Sequence, residues 1–353
     1  MNYLQPLVPS FIAAFISMIL VPLIIRLAHR KGWFDDPNDP RKIHTGKIPR
    51  LGGPAMFLSF FAALCVIEAM NGGRDWATLS MIIGGGLALH LVGLLDDFKN
   101  LRARFKFLVQ LLAAIGVVLA GYSFDRLYLP FLAEPIQLGL AGAVITVIWI
   151  AGIANAINMI DGLDGLAGGI SLIASIAYGA IYLSLGIPFM AAVSFALTGA
   201  IIGFLFFNLP PARIFMGDSG SLFLGFILAV IPLVGATQAP AALGVLPSAT
   251  ILAIPIFDVF AAIIRRRRRR VHVMSPDREH LHHKLMDFGL DTRQILALVY
   301  SVCIALGAVA ASTGVIGEVA TFLALAAALV ALACGFVFLH FAKERALNAE
   351  TSK

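Results

Sequence analysis

Apolar runs of about 20 residues recur from one end of this chain to the other, and each can cross a bilayer core about 30 Å thick as a helix. Only 13% of the residues are charged, against about 25% in a soluble domain. The expected fold is an all-α polytopic integral membrane protein of about eleven transmembrane helices. The spans fall near 8–28, 52–70, 77–95, 105–121, 137–154, 168–185, 189–207, 221–237, 245–264, 294–313 and 319–341. Residues 1–353 read as one transmembrane domain, with no soluble domain of useful size left over. The first run lacks a basic leader and a small-residue cleavage site, so it reads as a span and not a signal peptide.

Basic residues orient the bundle, because cytoplasmic loops are enriched in Lys and Arg. With Met1 outside, the inner loops are 29–51, 96–104, 155–167, 208–220, 265–293 and the tail 342–353. The inner side then holds all but two of the 26 Lys and Arg; only Arg74 and Arg126 fall outside. The N-terminus is therefore expected to be periplasmic and the C-terminus cytoplasmic. The net charge of +6 is a topology signal and a hint of anionic partners. It does not point to nucleic acid, since no basic surface with interleaved aromatics exists. Cys65, Cys303 and Cys334 are scattered through apolar spans and form neither a disulfide framework nor a zinc site.

On this orientation the acidic clusters all face the cytoplasm. Ionised groups at the membrane edge are costly to place and are usually there for function. Asn155–Gly169 reads NAINMIDGLDGLAGG, and a spacing of three puts Asp161 and Asp164 on one helical face. Asp96 and Asp97 end an apolar run. Adjacent helical residues diverge by about 100°, so one is expected to face metal or phosphate and the other a different group. Lys106, at the start of the next span, is placed to reach a diphosphate. In FNLPPARIFMGDSGS, Asp218 reads as an N-cap beside a nest of backbone N–H groups suited to an anion or a metal-bound phosphate, and Phe215 as a platform for a flat base. Three acidic sites at helix ends point to a divalent metal and a phosphate-rich substrate.

Two basic segments complete the pattern. Residues 35–54 carry Arg41, Lys42, His44, Lys47 and Arg50 among prolines and glycines, and read as a phosphate-binding, gating loop. The cytoplasmic loop 265–293 opens with six arginines, an expected anchor on anionic lipid, and continues PDREHLHHKL. There His280 and His283 are expected to share a helical face with His282 to one side, and imidazoles with guanidiniums suit sugar and phosphate recognition. Asp258, in the apolar run before the arginines, is expected to pair with something. Asp125–Gln137 alternates like a small outer hairpin.

Taken together, RKIHTGKIPRLGG, LLDDFKN, NAINMIDGLDGLAGG, FNLPPARIFMGDSGS and PDREHLHHKL, in that order, resemble the polyprenyl-phosphate N-acetylhexosamine-1-phosphate transferases. The resemblance covers nearly the whole chain and is closer to the WecA-like branch than to the MraY branch. It implies a reaction: an N-acetylhexosamine 1-phosphate, GlcNAc-1-phosphate by default, passes from a UDP-sugar to undecaprenyl phosphate with release of UMP, initiating a cell-envelope polysaccharide. The cofactor implied is magnesium, with manganese as a substitute. The partners implied are the UDP-N-acetylhexosamine, undecaprenyl phosphate, membrane lipids and a second copy in a homodimer, at a bacterial inner membrane.

The resemblance also implies roles by position. Asp218 matches a metal-ligand aspartate, with Asp161 a second. Asp96 and Asp97 match the acidic pair near the lipid phosphate and nucleotide. Asp161, Asp164, Asn158 and Asn208 match the polar lining around uridine and diphosphate. Phe215 matches a uracil-stacking position and Lys106 a phosphate-binding lysine. His280, His282 and His283 match a histidine motif, with Arg265 a phosphate ligand nearby and Lys42 and His44 on the first basic loop. Direct in-line attack by the lipid phosphate is the favoured scheme; a covalent aspartyl intermediate is its rival. An intramembrane prenyltransferase would want DDxxD, where this chain has Asn100, and a transporter would gather its acids near the midplane.

Overall fold

In a computed structural model the described residues are 5–34, 47–72, 76–237, 244–272, 279–312 and 317–351. They form a helical bundle. A 3-10 turn, Gln5–Leu7, leads into α1 (Val8–Lys31), followed by α2 (Gly52–Asn71), α3 (Trp76–Lys99) and α4 (Ala103–Leu119). A two-stranded ribbon, β1 (Arg126–Leu127) and β2 (Ile136–Gln137), precedes α5 (Leu140–Ile160), α6 (Leu166–Ser184), α7 (Pro188–Asn208) and α8 (Gly217–Ala236). Then come α9 (Val245–Ile251), α10 (Ala253–Arg268), α11 (Leu281–Asp287), α12 (Thr292–Ala311) and α13 (Glu318–Thr351). The ribbon is antiparallel, pairing Arg126 with Gln137, and is the hairpin expected there.

Nine unbroken helices among the described residues are long and apolar enough to cross a membrane. The two other expected spans differ. The fourth, α4, is only 17 residues long. The ninth is broken: α9 and α10 meet at Leu252 with a bend of 86°. Pro255 lies one turn beyond the break and has no N–H to offer the Ile251 carbonyl, so the helical ladder loses a rung there.

The centre of the bundle is α8, 94% of whose apolar stretch is buried, with α7 almost as enclosed. α8 packs against α3 and α5, and α7 against α1 and α6. Small and polar residues knit these crossings, as packing between membrane helices requires. Ser17 Oγ donates to the Ala200 carbonyl at 2.9 Å, and Trp149 Nε1 to the Ala229 carbonyl at 3.0 Å. At the periphery α13 buries only 6% of its stretch.

Candidate active site

The C-terminal ends of α3 and α5 and the N-terminal ends of α2, α6 and α8 meet at one end of the bundle. α3 and α8 cross so closely that a methyl at Gly93 would overlap the backbone of Asp218 and Ser219. Asp97, one turn beyond Gly93 on the same face, therefore reaches across the start of α8. Its Oδ1 accepts from the Asp218 N–H at 2.8 Å, and its Oδ2 from the Ser219 N–H at 3.1 Å and the Ser219 hydroxyl at 2.7 Å. α8 has no side-chain cap of its own, so Asp97 satisfies its orphan amides from a neighbouring helix. The expectation that Asp218 caps α8 is corrected. Asp218 is the second helical residue, and its carboxylate turns to two cations.

Those cations are Lys106 and Arg50. Lys106 Nζ donates to Asp218 Oδ2 at 2.7 Å and to Asp96 Oδ2 at 2.9 Å. Asp96 Oδ1 accepts from the Leu101 N–H at 2.6 Å. The Arg50 guanidinium lies 3.7 Å from Asp218 Oδ1. Arg50 is brought in by backbone pairing between 49–53 and 215–216. Phe215 N–H donates to the Pro49 carbonyl at 2.8 Å, and the Gly52 and Gly53 N–H groups donate to Phe215 and Met216, each at 2.9 Å. That pairing holds Phe215 half-buried at the edge of the cluster. As expected from the helical geometry, Asp96 and Asp97 point apart.

Asp161 and Asp164 do not share a helical face. α5 stops at Ile160, Asp161 is its C-cap, and α6 begins only at Leu166. Gly165 adopts φ +78°, a left-handed conformation that ends any continuous helix through DGLDG. The two carboxylates have different fates. Asp164 Oδ2 accepts from the Ala212 N–H at 2.9 Å, fastening this turn to the loop before α8. The Asp161 carboxylate has no hydrogen-bond partner among the described residues. Burial holds it well above the usual carboxylate range, against the pull of Arg50; Asp218, Asp97 and Asp164 push it further the same way.

The amides brace this arrangement. Asn158 Nδ2 donates to Ser221 Oγ at 2.9 Å. Asn155 exchanges hydrogen bonds with Gln110. Asn208 ties two loops: its Oδ1 accepts from the Gly165 N–H at 3.0 Å and its Nδ2 donates to the Ile214 carbonyl at 2.9 Å. From the far side the Tyr300 hydroxyl donates to the Gly165 carbonyl at 2.6 Å.

The histidine stretch lies against the same turn. His280 is the N-cap residue of α11, and its Nδ1 is 2.8 Å from Asp258 Oδ2, the pairing that Asp258 was expected to make. His282, expected to lie to one side, is the one that meets the site. Its Nε2 occupies the space a side chain at Gly162 would need. His282 and His283 have ring centroids 4.2 Å apart. Burial pushes the His282 imidazole down to about 3, so it is neutral at pH 7. The pairing of His280 with His283 on one face is not what the structure shows, because His280 precedes the helix. Arg265 is buried, with its guanidinium 3.6 Å from Glu279. Lys42 and His44 lie outside the described residues.

Sequence reading placed Arg50 on the phosphate-binding loop without linking it to the aspartates, and passed over Gln110 and Tyr300 as site residues. Arg50 carried a signal, an arginine immediately before LGG at a helix start; Gln110 and Tyr300 carried none. Among the described residues no three His, Cys, Asp or Glu side chains are spaced to enclose a metal by themselves. Magnesium in phosphoryl-transfer sites characteristically takes one or two carboxylates and completes its shell with water and substrate phosphate. Oxygen donors on Asp218 and an unpartnered, half-buried Asp161 suit that pattern.

A family model, glycosyl transferase family 4, matches residues 78–236, the stretch that carries every aspartate of this cluster. A Bacillus subtilis protein named as a probable undecaprenyl-phosphate N-acetylglucosaminyl 1-phosphate transferase is 38% identical, covering 83% of this chain and 81% of its own. An undecaprenyl-phosphate alpha-N-acetylglucosaminyl 1-phosphate transferase of Haemophilus influenzae is 35% identical, over 88% and 85% of the two chains. A decaprenyl-phosphate N-acetylglucosaminephosphotransferase of Mycobacterium tuberculosis is 32% identical, over 82% and 77%. With identity of this level along most of its length, and with the motif residues gathered at one end of the bundle, the chain belongs to the polyprenyl-phosphate N-acetylhexosamine-1-phosphate transferases of glycosyl transferase family 4.

Proposed function

We propose that the protein transfers N-acetylglucosamine 1-phosphate from UDP-N-acetylglucosamine to undecaprenyl phosphate, yielding the undecaprenyl diphospho-sugar and UMP. The reaction takes place at the cytoplasmic face of a bacterial plasma membrane. The names of the Bacillus and Haemophilus relatives support the sugar and the lipid. The distribution of Lys and Arg supports the face. The observation that carries the chemistry is the cluster in which Lys106 bridges Asp96 and Asp218 while Arg50 approaches from the other side.

Donor and acceptor both carry phosphate charge, so the main catalytic task is to cancel their repulsion and the charge that spreads in the transition state. Lys106 and Arg50 supply fixed positive charge for this, Lys106 held between Asp96 and Asp218 and Arg50 beside Asp218. Asp218 and Asp161 would be the residues to hold magnesium, which would supply further charge neutralisation at the diphosphate. An oxygen of the lipid phosphate attacks the β-phosphorus. The bond from that phosphorus to the bridging oxygen breaks, and the electron pair leaves with UMP. The lipid phosphate has a second pKa of about 6 and is largely dianionic at pH 7, so it needs no obligatory base. The aspartate pair supports direct attack over a covalent aspartyl route. Both Asp97 oxygens are engaged by α8, and both Asp96 oxygens by Leu101 and Lys106. Phe215 stacks on the uracil, and the histidine stretch meets the donor near the Asp161 turn.

The test is UMP release by the purified protein in detergent with undecaprenyl phosphate and magnesium, offering UDP-GlcNAc, UDP-GalNAc, UDP-FucNAc and UDP-MurNAc-pentapeptide separately. Release with UDP-GlcNAc that depends on both lipid and metal is expected. Release only with another donor would overturn the sugar assignment, and none with any donor would overturn the reaction.

A further inference from the structure

Asp258 lies ten residues before the end of α10 and is 1% exposed. An ionisable side chain enclosed in a membrane bundle needs a defined partner, and this one has two. Its Oδ2 is 2.8 Å from His280 Nδ1, and its Oδ1 accepts from the Leu281 N–H at 2.8 Å. The two oxygens thus grip the first residues of α11 by a side chain and by the backbone. Arg265, further along α10, and Arg269, its C-cap, ion-pair with Glu279. The segment entering α11 is therefore held to α10 at two levels.

What this grip orients is His282. The His280 and His282 rings are nearly parallel, 6° apart in plane, with centroids separated by 6.2 Å. His282 is 2% exposed, lies against Gly162 beside Asp161, and neither of its ring nitrogens has a hydrogen-bond partner among the described residues. Buried polar atoms are rarely left in that state without a reason. A donor substrate that brings hydrogen-bonding groups to the Asp161 turn supplies one.

We infer that Asp258 is a positioning residue of the transferase: through His280 and the Leu281 amide it fixes the start of α11 so that His282 is held against the Asp161 turn. The assignment rests on the reading above for what His282 then meets. The orientation itself does not depend on that reading.

Two measurements on the full-length protein in detergent test it. In the first, diethyl pyrocarbonate modification of His282 is followed by mass spectrometry. His282 is expected to be protected in the wild type and modified in Asp258→Asn, which can still accept from Leu281 but offers no second acceptor for His280. Equal protection in a folded Asp258→Asn would overturn the inference whatever the protein catalyses. In the second, UMP release is measured for Asp258→Asn, His280→Gln and the double variant. Each single change is expected to lower kcat/KM for the UDP-sugar by about ten-fold while leaving KM for the lipid phosphate unchanged, and the double variant to fall no further than either, since residues acting as one unit are not additive. Losses that multiply, or a lipid KM that shifts as far as the donor KM, would overturn it. His280→Gln leaves the bond between Asp258 and Leu281 in place and serves if Asp258→Asn does not fold. Wild-type inactivity would sink the functional reading alone, because the modification experiment still decides the orientation.

Discussion

Two aspartate pairs sit at the same end of the bundle, and each divides its labour differently. In Asp96–Asp97 the residues are adjacent on a helix, so geometry separates them. Asp97 is spent on the amides of α8 and Asp96 on Lys106. In Asp161–Asp164 the residues lie in a turn between helices, and hydrogen bonding separates them. Asp164 is tied to the Ala212 amide, while Asp161 has no such tie. One pair is wholly engaged; the other keeps a single carboxylate at the disposal of a ligand. A site can therefore be built stiffly by one motif and keep an unengaged carboxylate in another.

The comparison breaks most visibly at the residues that face the centre. Asp161→Asn and Asp218→Asn are each expected to lower kcat by about 10²–10³-fold, the scale of losing one electrostatic contact to the transition state. The melting temperature of Asp161→Asn should equal or exceed that of the wild type, since a neutral amide relieves the burial of an unpartnered charge. Ordinary turnover in either variant would remove it from the machinery. Asp97→Ala should act mainly on stability, by about 1–3 kcal/mol, because it strands the amides of Asp218 and Ser219; chemical unfolding in detergent measures this. If instead Asp97→Ala unfolded like the wild type yet lost as much turnover as Asp161→Asn, the division within the first pair would be wrong. The smallest effect belongs to Asp164→Asn, which keeps an acceptor for Ala212 and should cost no more than about 0.5 kcal/mol, the range of a change that preserves its contact. A collapse of activity there would give Asp164 a role toward the ligand.

Much of this was legible in the sequence because bilayer length and the cost of intramembrane charge are strong constraints. The apolar runs located the long helices of the bundle but not the short α11, and the aspartates at their ends located the cluster where the helices meet. The turn at Asp161 was misread because a spacing of three fits a helix until Gly165 takes a left-handed conformation. The break at Leu252 was missed because Pro255 lies inside a run whose length and hydropathy still suit a span. Asp258 announced that it needed a partner, but 22 residues separate it from His280, and no periodicity links them. Arg50 was legible as a basic loop residue, but its approach to Asp218 depends on backbone pairing of its neighbours Pro49, Gly52 and Gly53 with 215–216, a long-range contact that no local pattern encodes.

The capping of α8 from another helix has a consequence for motion. The first amides of a helix ordinarily point at solvent and exchange their hydrogens with water almost as freely as a loop does. Here the amides of Asp218 and Ser219 are covered by the Asp97 carboxylate and walled in at Gly93. They can open only if α3 and α8 part, and α8 is the most enclosed helix in the protein. Hydrogen exchange at these two amides is therefore expected to be slow and to report the parting of α3 from α8, although both amides stand at the very start of a helix.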